Sequence, residues 1–581
     1  MTPPTHSGLP ITLGVTGHRD LRPQDLVQLT QQVRRTLSEL RSKFPSSPFR
    51  LLSGLAEGAD RLVAEVALDL GFELVAVLPV PVADYEKDFS GLSLETFQRL
   101  LSRAKLVVEL PVSAQPDHRY LQLARYLAEH THLLVALWNG KNHHEPGGTA
   151  QCVEFKLNGV PAEFGGKHSP LETPDFGTVF HLFAARVSHD PETLQPGQRE
   201  IACYCPDEGQ DYSVLLPQSW SQDKEERLGD VFMQGLSSLD HFNRLSAASL
   251  DQAALKLTKS YLLDEKTAET LNAGTKSVLH WAAVADVLAQ RLQKRVVKTL
   301  ILLFVMAASA FSLLSLFVEL APFTGTLALA LGLLAFGLLV TLIANRRGWD
   351  NDYVDCRALA EGLRVQLYWR IAGVGEHVGD HYLQKYRGSM AWILMALRAV
   401  DLEAENEALS GVTKEGLEIA TKAWVADQEK YFGRTSETRE KQQSRQRLRT
   451  GTLFVLSLAA LVGVVGLQIF QVLENPELDW QNLSEIKEKL AFPWLMFAFD
   501  TLLGIGTALA TFAEVTGKEE EERQYRRMAR LFGLGKKKIL AAGTNGATVE
   551  GLLFALGKEA LAENGDWLAN KKANPIEMPL G

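Results

Sequence analysis

Several short stretches place small, polar and charged residues just where an apolar run stops. Residues 11–15 (ITLGV) lead into Thr16-Gly17-His18-Arg19, and residues 49–54 lead into Leu55-Ala56-Glu57-Gly58-Ala59-Asp60. The run from Leu133 ends in Asn139-Gly140 and continues to Pro146-Gly147-Gly148-Thr149, while Leu78-Pro79 is followed by Tyr85 and Lys87. Glycine lets a backbone approach a ligand closely, and unbonded N–H groups at a helix start suit an anion. The pattern predicts a phosphate-sized pocket. Its candidate ligand contacts are Gly14, Thr16, Gly17, His18, Arg19, Ser53, Gly54, Glu57, Gly58, Asp60, Asn139, Gly147, Gly148 and Thr149. Arg19 is the expected charge partner of the ligand, and Gly17 is expected to leave room for it. Asp60 reads equally as a helix N-cap. If the pocket is enzymatic, Glu57 or Asp60 would stabilise positive charge on a sugar during N-glycosidic cleavage. The adjacent His143-His144 pair lacks the i, i+4 spacing that sets two imidazoles on one helix face, so it reads as a solvated loop, and no metal site is expected.

These loops need a frame to converge. Apolar runs at 11–15, 49–54, 73–80, 106–111 and 133–140 alternate with helical stretches such as DLVQLTQQVRRTLSEL and ADRLVAEVALDLG. Continuous apolar strands separated by single helices predict a parallel sheet covered on both faces. An α/β Rossmann-like domain is therefore expected over roughly the first 165 residues, with ligands beyond the carboxyl ends of its strands. A further strand is expected within residues 179–188.

Length and composition narrow the classes. A chain of 581 residues holds several domains, and a net charge of -9 gives no general pull towards nucleic acid. The four cysteines, Cys152, Cys203, Cys205 and Cys356, show neither zinc spacing nor a disulfide framework, which predicts a reducing compartment. The first ten residues, MTPPTHSGLP, lack the features of a cleaved signal peptide.

The second half carries four long apolar runs, at residues 299–318, 326–344, 451–473 and 492–513. Each approaches the roughly 20 residues a helix needs to cross hydrocarbon. Basic residues flank the outer ends, including Arg295 and Lys298, Arg346 and Arg347, Arg447 and Arg449, and Arg526 and Arg527, whereas the two connecting loops are acidic or nearly neutral. The positive-inside bias then predicts an all-α membrane region of four transmembrane helices in two hairpins, with both termini cytoplasmic. Asp500, eight residues into the last run, is expected to face a pore or a neighbouring helix, and Gly504 and Ala508 are spaced for close helix contact. Each hairpin has a basic approach and a charged helix after it, a coarse repeat consistent with duplication. Four helices line a pore poorly, so a homo-oligomer is expected.

TGHR after the first strand, SGLAEGADRLVAEVA after the second and GGTA after a later one together resemble the SLOG superfamily, over about residues 8–190. This Rossmann-like nucleotide-binding fold is shared by DprA, LOG cytokinin-activating enzymes and the amino-terminal region of TRPM channels. The two-helix membrane modules resemble SLATT domains, over roughly residues 270–570, which are often fused to SLOG sensors in bacterial conflict systems. The resemblance implies a sensor for a nucleotide or nucleotide-derived signal, with no other cofactor, coupled to an effector of the inner membrane that opens a pore or disrupts the bilayer in antiphage defence. A TRPM-like ligand-gated channel and a membrane-anchored LOG-like N-glycosidase are the alternatives. LOG enzymes carry PGGxGT followed by an acid, whereas this chain reads PGGTAQCVE from Pro146 to Glu154 and lacks the second glycine-threonine step. The expected organisation is a sensor at 1–215 (core 8–165), a helical linker at 216–297, hairpins at 298–345 and 451–513, and cytosolic helical regions at 346–450 and 514–581. The expected partners are thus a nucleotide-derived small molecule, the lipid bilayer and further copies of the chain, with no nucleic acid.

Overall fold

A computed structural model describes residues 8–111, 118–141, 146–165, 177–187, 213–215, 228–320, 322–383, 387–407, 413–474, 492–516, 518–543 and 545–573. The His143-His144 pair, Cys203, Cys205 and most of the second hairpin loop lie outside them. In chain order the strands are β1 (Ile11–Gly17), β2 (Phe49–Ser53), β3 (Glu73–Leu78), β4 (Leu106–Glu109), β5 (Leu133–Trp138), β6 (Thr178–Phe183) and β7 (Ser213–Leu215). The helices between them are α1 (Leu26–Lys43), α2 (Ala59–Asp69), α3 (Val82–Tyr85), α4 (Leu92–Arg103), α5 (Arg119–His130) and α6 (Thr149–Asn158). There follow α7 (Leu228–Ser249), α8 (Gln252–Leu262), α9 (Glu265–Thr270), α10 (Ala273–Glu319), α11 (Thr324–Arg347), α12 (Trp349–Ala372), α13 (Arg387–Glu407) and α14 (Lys414–Ala420). The last are α15 (Asp427–Glu474), α16 (Pro493–Val515), α17 (Lys518–Ala542) and α18 (Gly546–Ala573). The chain divides into two compact units. One comprises Met1–Leu288, Cys356–Leu417 and Leu553–Gly565; the other Ala289–Asp355, Glu418–Leu552 and Asp566–Gly581.

The first unit is built on a seven-stranded sheet of order β4-β3-β2-β1-β5-β6-β7. Its first six strands are parallel and β7 is antiparallel to β6. Every residue of β2 and β5 is buried, as a parallel sheet covered on both faces requires. The helices present apolar stripes at spacings of three and four, as with Leu29, Val33, Leu37 and Leu40 on α1. Strand order reverses direction between β1 and β5, so the loops after these two strands diverge and leave a crevice between them.

Residues far beyond the sheet complete this unit. On α7, Asn243 accepts from Leu9 N at 2.7 Å and donates to Leu9 O at 2.9 Å, and Asp240 accepts from Ser46 N at 2.8 Å. From α13, Met395 O receives the Nε2–H of His132 at 2.9 Å, and Glu403 pairs with Arg50 at 3.1 Å. Helix α13 is tied to α12 by the buried Arg370–Asp401 pair, with Nε to Oδ1 at 2.8 Å. The region between the two apolar hairpins thus supplies two helices to the α/β unit, and α7 is an integral part of it.

Among the described residues, four helices are long and apolar enough to cross a membrane, and their most apolar stretches lie in the second unit: in α10, α11, the run ending at Glu474, and α16. Only 28, 22, 11 and 6 % of the residues in their most apolar stretches are buried. Core helices of a water-soluble domain would be buried there, whereas these apolar stretches are mostly exposed. Within the unit, Gly337 of α11 lies against Leu303 and Met306 of α10, and Gly506 of α16 lies against Leu453 and Phe454 of α15. Ser315 Oγ of α10 donates to Asp500 Oδ2 of α16 at 2.8 Å, one turn from Gly504, whose Cα is covered by Phe311. Asp500 and Gly504 therefore join the first hairpin to the second. The coarse repeat diverges after each hairpin: most of α12 belongs to the α/β unit, whereas α17 packs on α15 through Phe432–Phe532 and the Lys536–Glu429 pair at 2.7 Å.

Candidate functional site

At the carboxyl ends of β1, β2, β3 and β5 lies a cleft of about 370 Å³. Its wall includes Thr16, Gly17, His18, Arg19, Asp60, Gly147, Gly148 and Thr149, eight of the residues singled out in the sequence. Three helices point their first turns at it. Helix α2 contributes Asp60, α5 contributes Tyr120 and Leu123, and α6 contributes Thr149 and Ala150.

The remaining predicted contacts form the scaffold behind the wall. Gly14 is filled against Thr131 and Leu134, and Gly54 against Leu123. Gly58 has φ +77° and caps α2, where any Cβ would meet the carbonyls of His18 and Arg19 at about 2.5 Å. Ser53 Oγ accepts from Leu55 N at 3.1 Å and so helps hold Leu55 at φ 53°, an unusual conformation for leucine. Asn139 is fully buried; its N–H donates to His18 Nε2 at 3.1 Å, and its Oδ1 accepts from Lys141 N at 3.1 Å. Gly17 has a packing reason for its missing side chain as well: a Cβ there would sit 2.4 Å from Ala59 Cβ and 2.5 Å from Leu137 O, so the glycine admits α2 against β1 and β5 while also lining the cleft.

Glu57 is bonded to Ser93 Oγ on α4 and does not line the cleft. Glu154 is exposed on α6 and also lies outside the wall. Asp60 is therefore the acidic residue of the wall. It is buried, accepts from Ala56 N at 3.4 Å, and is pushed up to about 7 by desolvation, which outweighs the backbone bonds and the attraction of Arg19 and Arg61.

Sequence reading did not include the aromatic side of the cleft among the contacts. Tyr85, on α3 after β3, is 0 % exposed, packs edge-on to Phe89 and Phe97, and lines the cleft with a hydroxyl that has no hydrogen-bond partner among the described residues. Its deprotonation is displaced upward, first by burial and then by Asp60. Tyr120 donates to Asp88 at 3.0 Å and stacks beneath two guanidinium groups, Arg19 at 5.0 Å and Arg119 at 4.7 Å from the ring centre. Trp138, Lys141 and Arg186 complete the far side, and Arg186 pairs with Asp20 at 3.0 Å. The signal for Tyr85 and Tyr120 was positional: each stands where a parallel strand hands over to a helix.

The electrostatics favour an anion at one side. Helix α6 has no side-chain cap, so the N–H groups of its first turn face the cleft without a carboxylate or hydroxyl upon them. Gly147, at φ +75°, folds the preceding turn against Tyr120 and Leu121, and its own N–H is held by Gln151 Oε1 at 2.6 Å. Arg19 adds a cation that forms no ion pair among the described residues.

No family model matches the chain. A protein of Chromohalobacter salexigens described as oxaloacetate decarboxylase is 29 % identical over 203 residues, 34 % of this chain. The matched part spans 63 % of that relative's length.

Proposed function

We propose that the chain is a membrane effector whose SLOG-like α/β unit binds a nucleotide or nucleotide-derived signal, and that binding gates a pore or bilayer disruption through SLATT-like hairpins. The observation that carries this reading is the switch-point cleft, with an uncapped helix start and Arg19 on its wall, in a chain that also holds four helices of membrane-spanning length. The positive-inside bias of the flanking arginines and lysines supports cytoplasmic termini, which would turn the cleft towards cytosolic nucleotides. Antiphage defence in the inner membrane, with the chain acting as a homo-oligomer, is the setting that the SLOG–SLATT resemblance supplies. Binding is favoured over turnover because the PGGTAQCVE stretch lacks the second glycine-threonine step and Glu57 and Glu154 lie off the wall of the cleft, which leaves Asp60 as the acid an N-glycosidase would have to use.

The test uses the full chain. Purified in detergent, it should carry a nucleotide identifiable by mass spectrometry, and Gly148→Trp and Arg19→Ala should lose it. Reconstituted into dye-loaded liposomes, the unsubstituted protein should release dye only when that nucleotide is added. Oxaloacetate belongs among the added compounds, because the Chromohalobacter protein bears that name. A chain that retains no nucleotide and leaks equally with every compound would refute the sensor reading, and conversion of the bound nucleotide to free base would shift it towards the enzyme.

A further inference from the structure

We propose that Asp500 is the charge filter of the pore, lining its water-filled passage as a carboxylate and admitting small monovalent cations over anions. The proposal rests on the gated-pore reading above and specifies what the open state conducts.

Asp500 is the one acidic or basic residue in the four apolar runs at 299–318, 326–344, 451–473 and 492–513. It follows Pro493, the first residue of α16, by two turns, roughly 10 Å along the axis. A carboxylate carried on a single methylene cannot reach the interface from that depth, as the long stem of a lysine or arginine could. Among the described residues its side chain accepts from Ser315 Oγ of α10 at 2.8 Å, and no lysine, arginine or histidine pairs with it. One turn further along α16, Gly504 takes the ring of Phe311 against its backbone, which lets α10 and α16 close on this bond. Asp500 is nonetheless only half-buried.

A carboxylate at membrane depth needs a counter-charge, water or a proton. Ser315 supplies a hydrogen bond and no charge. Further copies of the chain have no counter-charge to offer at that depth either, because none of the four apolar runs holds a lysine, arginine or histidine. Water remains as what keeps the group ionised, and a carboxylate facing water inside a membrane attracts cations and repels anions. The competing charges are the basic residues that flank the runs, Arg295, Lys298, Arg346 and Arg347 among them, and these favour anions. They stand at the run ends, where physiological salt screens a charge beyond about 8 Å, whereas low-dielectric walls focus the field of a charge inside the passage. The carboxylate therefore decides the sign. A protonated Asp500 would be a hydrogen-bonding clamp between the hairpins and nothing more. Asparagine separates the two roles, because its amide oxygen still accepts from Ser315 while the charge is gone.

The experiment records current through the full chain in planar bilayers under a KCl gradient, with a mixture of the ribonucleoside 5′-mono-, di- and triphosphates added to open it. The reversal potential should report K⁺ passing about tenfold or more readily than Cl⁻ (about 1.4 kcal/mol per tenfold). The preference should persist in about 1 M KCl, where the screening length falls to about 3 Å and the flanking charges lose their reach. Asp500→Asn should bring the ratio towards one, and Asp500→Glu should keep it above one. Gel filtration in detergent checks that the variants are assembled, and the wild-type ratio stays informative if Asp500→Asn fails to fold. A wild type that passes current without preferring K⁺, or an assembled Asp500→Asn with the wild-type ratio, overturns this proposal and leaves the gated pore standing. No current from the wild type with any of these nucleotides overturns both.

Discussion

At the amino-terminal edge of the sheet, Arg50, His132 and Lys156 are buried as deeply as Asp60 and Tyr85 are at the carboxyl edge, yet the two groups of residues are provided for differently. Arg50 bonds Glu73, Glu403 and Ala399 O. Lys156 donates to Ala128 O at 3.0 Å and to Thr131 O, and burial pulls it down to about 7. His132 accepts from Thr12 N at 3.0 Å on Nδ1 and donates from Nε2 to Met395 O, the neutral tautomer expected of an imidazole that desolvation pulls down to about 3. At the other edge, among the described residues, Asp60 has backbone donors but no carboxylate-matching cation in bonding contact, and Tyr85 O–H has no partner. Burial alone therefore does not mark a functional residue. Unfilled hydrogen-bonding capacity does so only where it meets a cleft, as at Tyr85; the buried Thr12 and Thr178 hydroxyls of the amino edge also have no partner among the described residues, yet they line no part of the cleft.

The largest effect tests the structural edge. Asp401 lies on the same helix as Met395, Arg398 and Glu403, and the Arg370–Asp401 side chains are each 1 % exposed. Arg370→Ala strands a buried carboxylate and should cost about 3–5 kcal/mol in denaturant unfolding of the full chain. A loss below about 1 kcal/mol would mean that this helical layer does not depend on its charges, and the contrast between the edges would fail.

Asp60→Asn should act in the opposite direction. The raised acid leaves the folded protein indifferent to Asp60 at low pH. As pH climbs from near 4, where the unfolded carboxyl ionises, through about 7, folding must keep the proton on or bury the charge. Wild-type stability attributable to this group is thus lost over that window, by on the order of 4 kcal/mol in the limit. Melting temperatures measured from pH 4 to 8 should show Asp60→Asn matching wild type in acid and exceeding it at pH 8, while nucleotide binding declines. If Asp60→Asn is less stable at every pH, the carboxylate is an ordinary structural group and Asp60 belongs with Arg50 and Lys156.

Much of this arrangement was legible in the sequence because it is local. The strands at β1 to β5 follow from unbroken apolar runs, the four long helices from run length, and the loops at Arg19, Asp60 and Gly148 from small and polar residues at strand ends. The cover of the amino edge was not legible. Arg50 meets Glu403 across 353 positions and His132 meets Met395 across 263, and no window of periodicity reaches that far. Glycine was also ambiguous, since the same lack of a side chain admits a ligand or a helix. At Gly17 the helix occupies the space. Gly17→Ala forces α2 away from β1 and should cost about 1–3 kcal/mol, with binding weakened only through displacement of Asp60. Nucleotide affinity lost without any fall in melting temperature would instead return Gly17 to direct ligand contact.

The smallest expected effect separates the edges most sharply. Deleting a buried hydroxyl ordinarily costs about 1 kcal/mol, because its partner is left unbonded. Tyr85→Phe removes an O–H that has no partner among the described residues and keeps the ring against Phe89 and Phe97, so stability without ligand should stay within about 0.5 kcal/mol or rise. Saturating nucleotide should then stabilise wild type more than Tyr85→Phe, since only the wild type fills the vacant position, and the gap measures what the ligand contributes there. Equal stabilisation of the two by ligand would leave Tyr85 as a packing residue whose hydroxyl is merely tolerated, and burial without a partner would lose its value as a mark of function in this cleft.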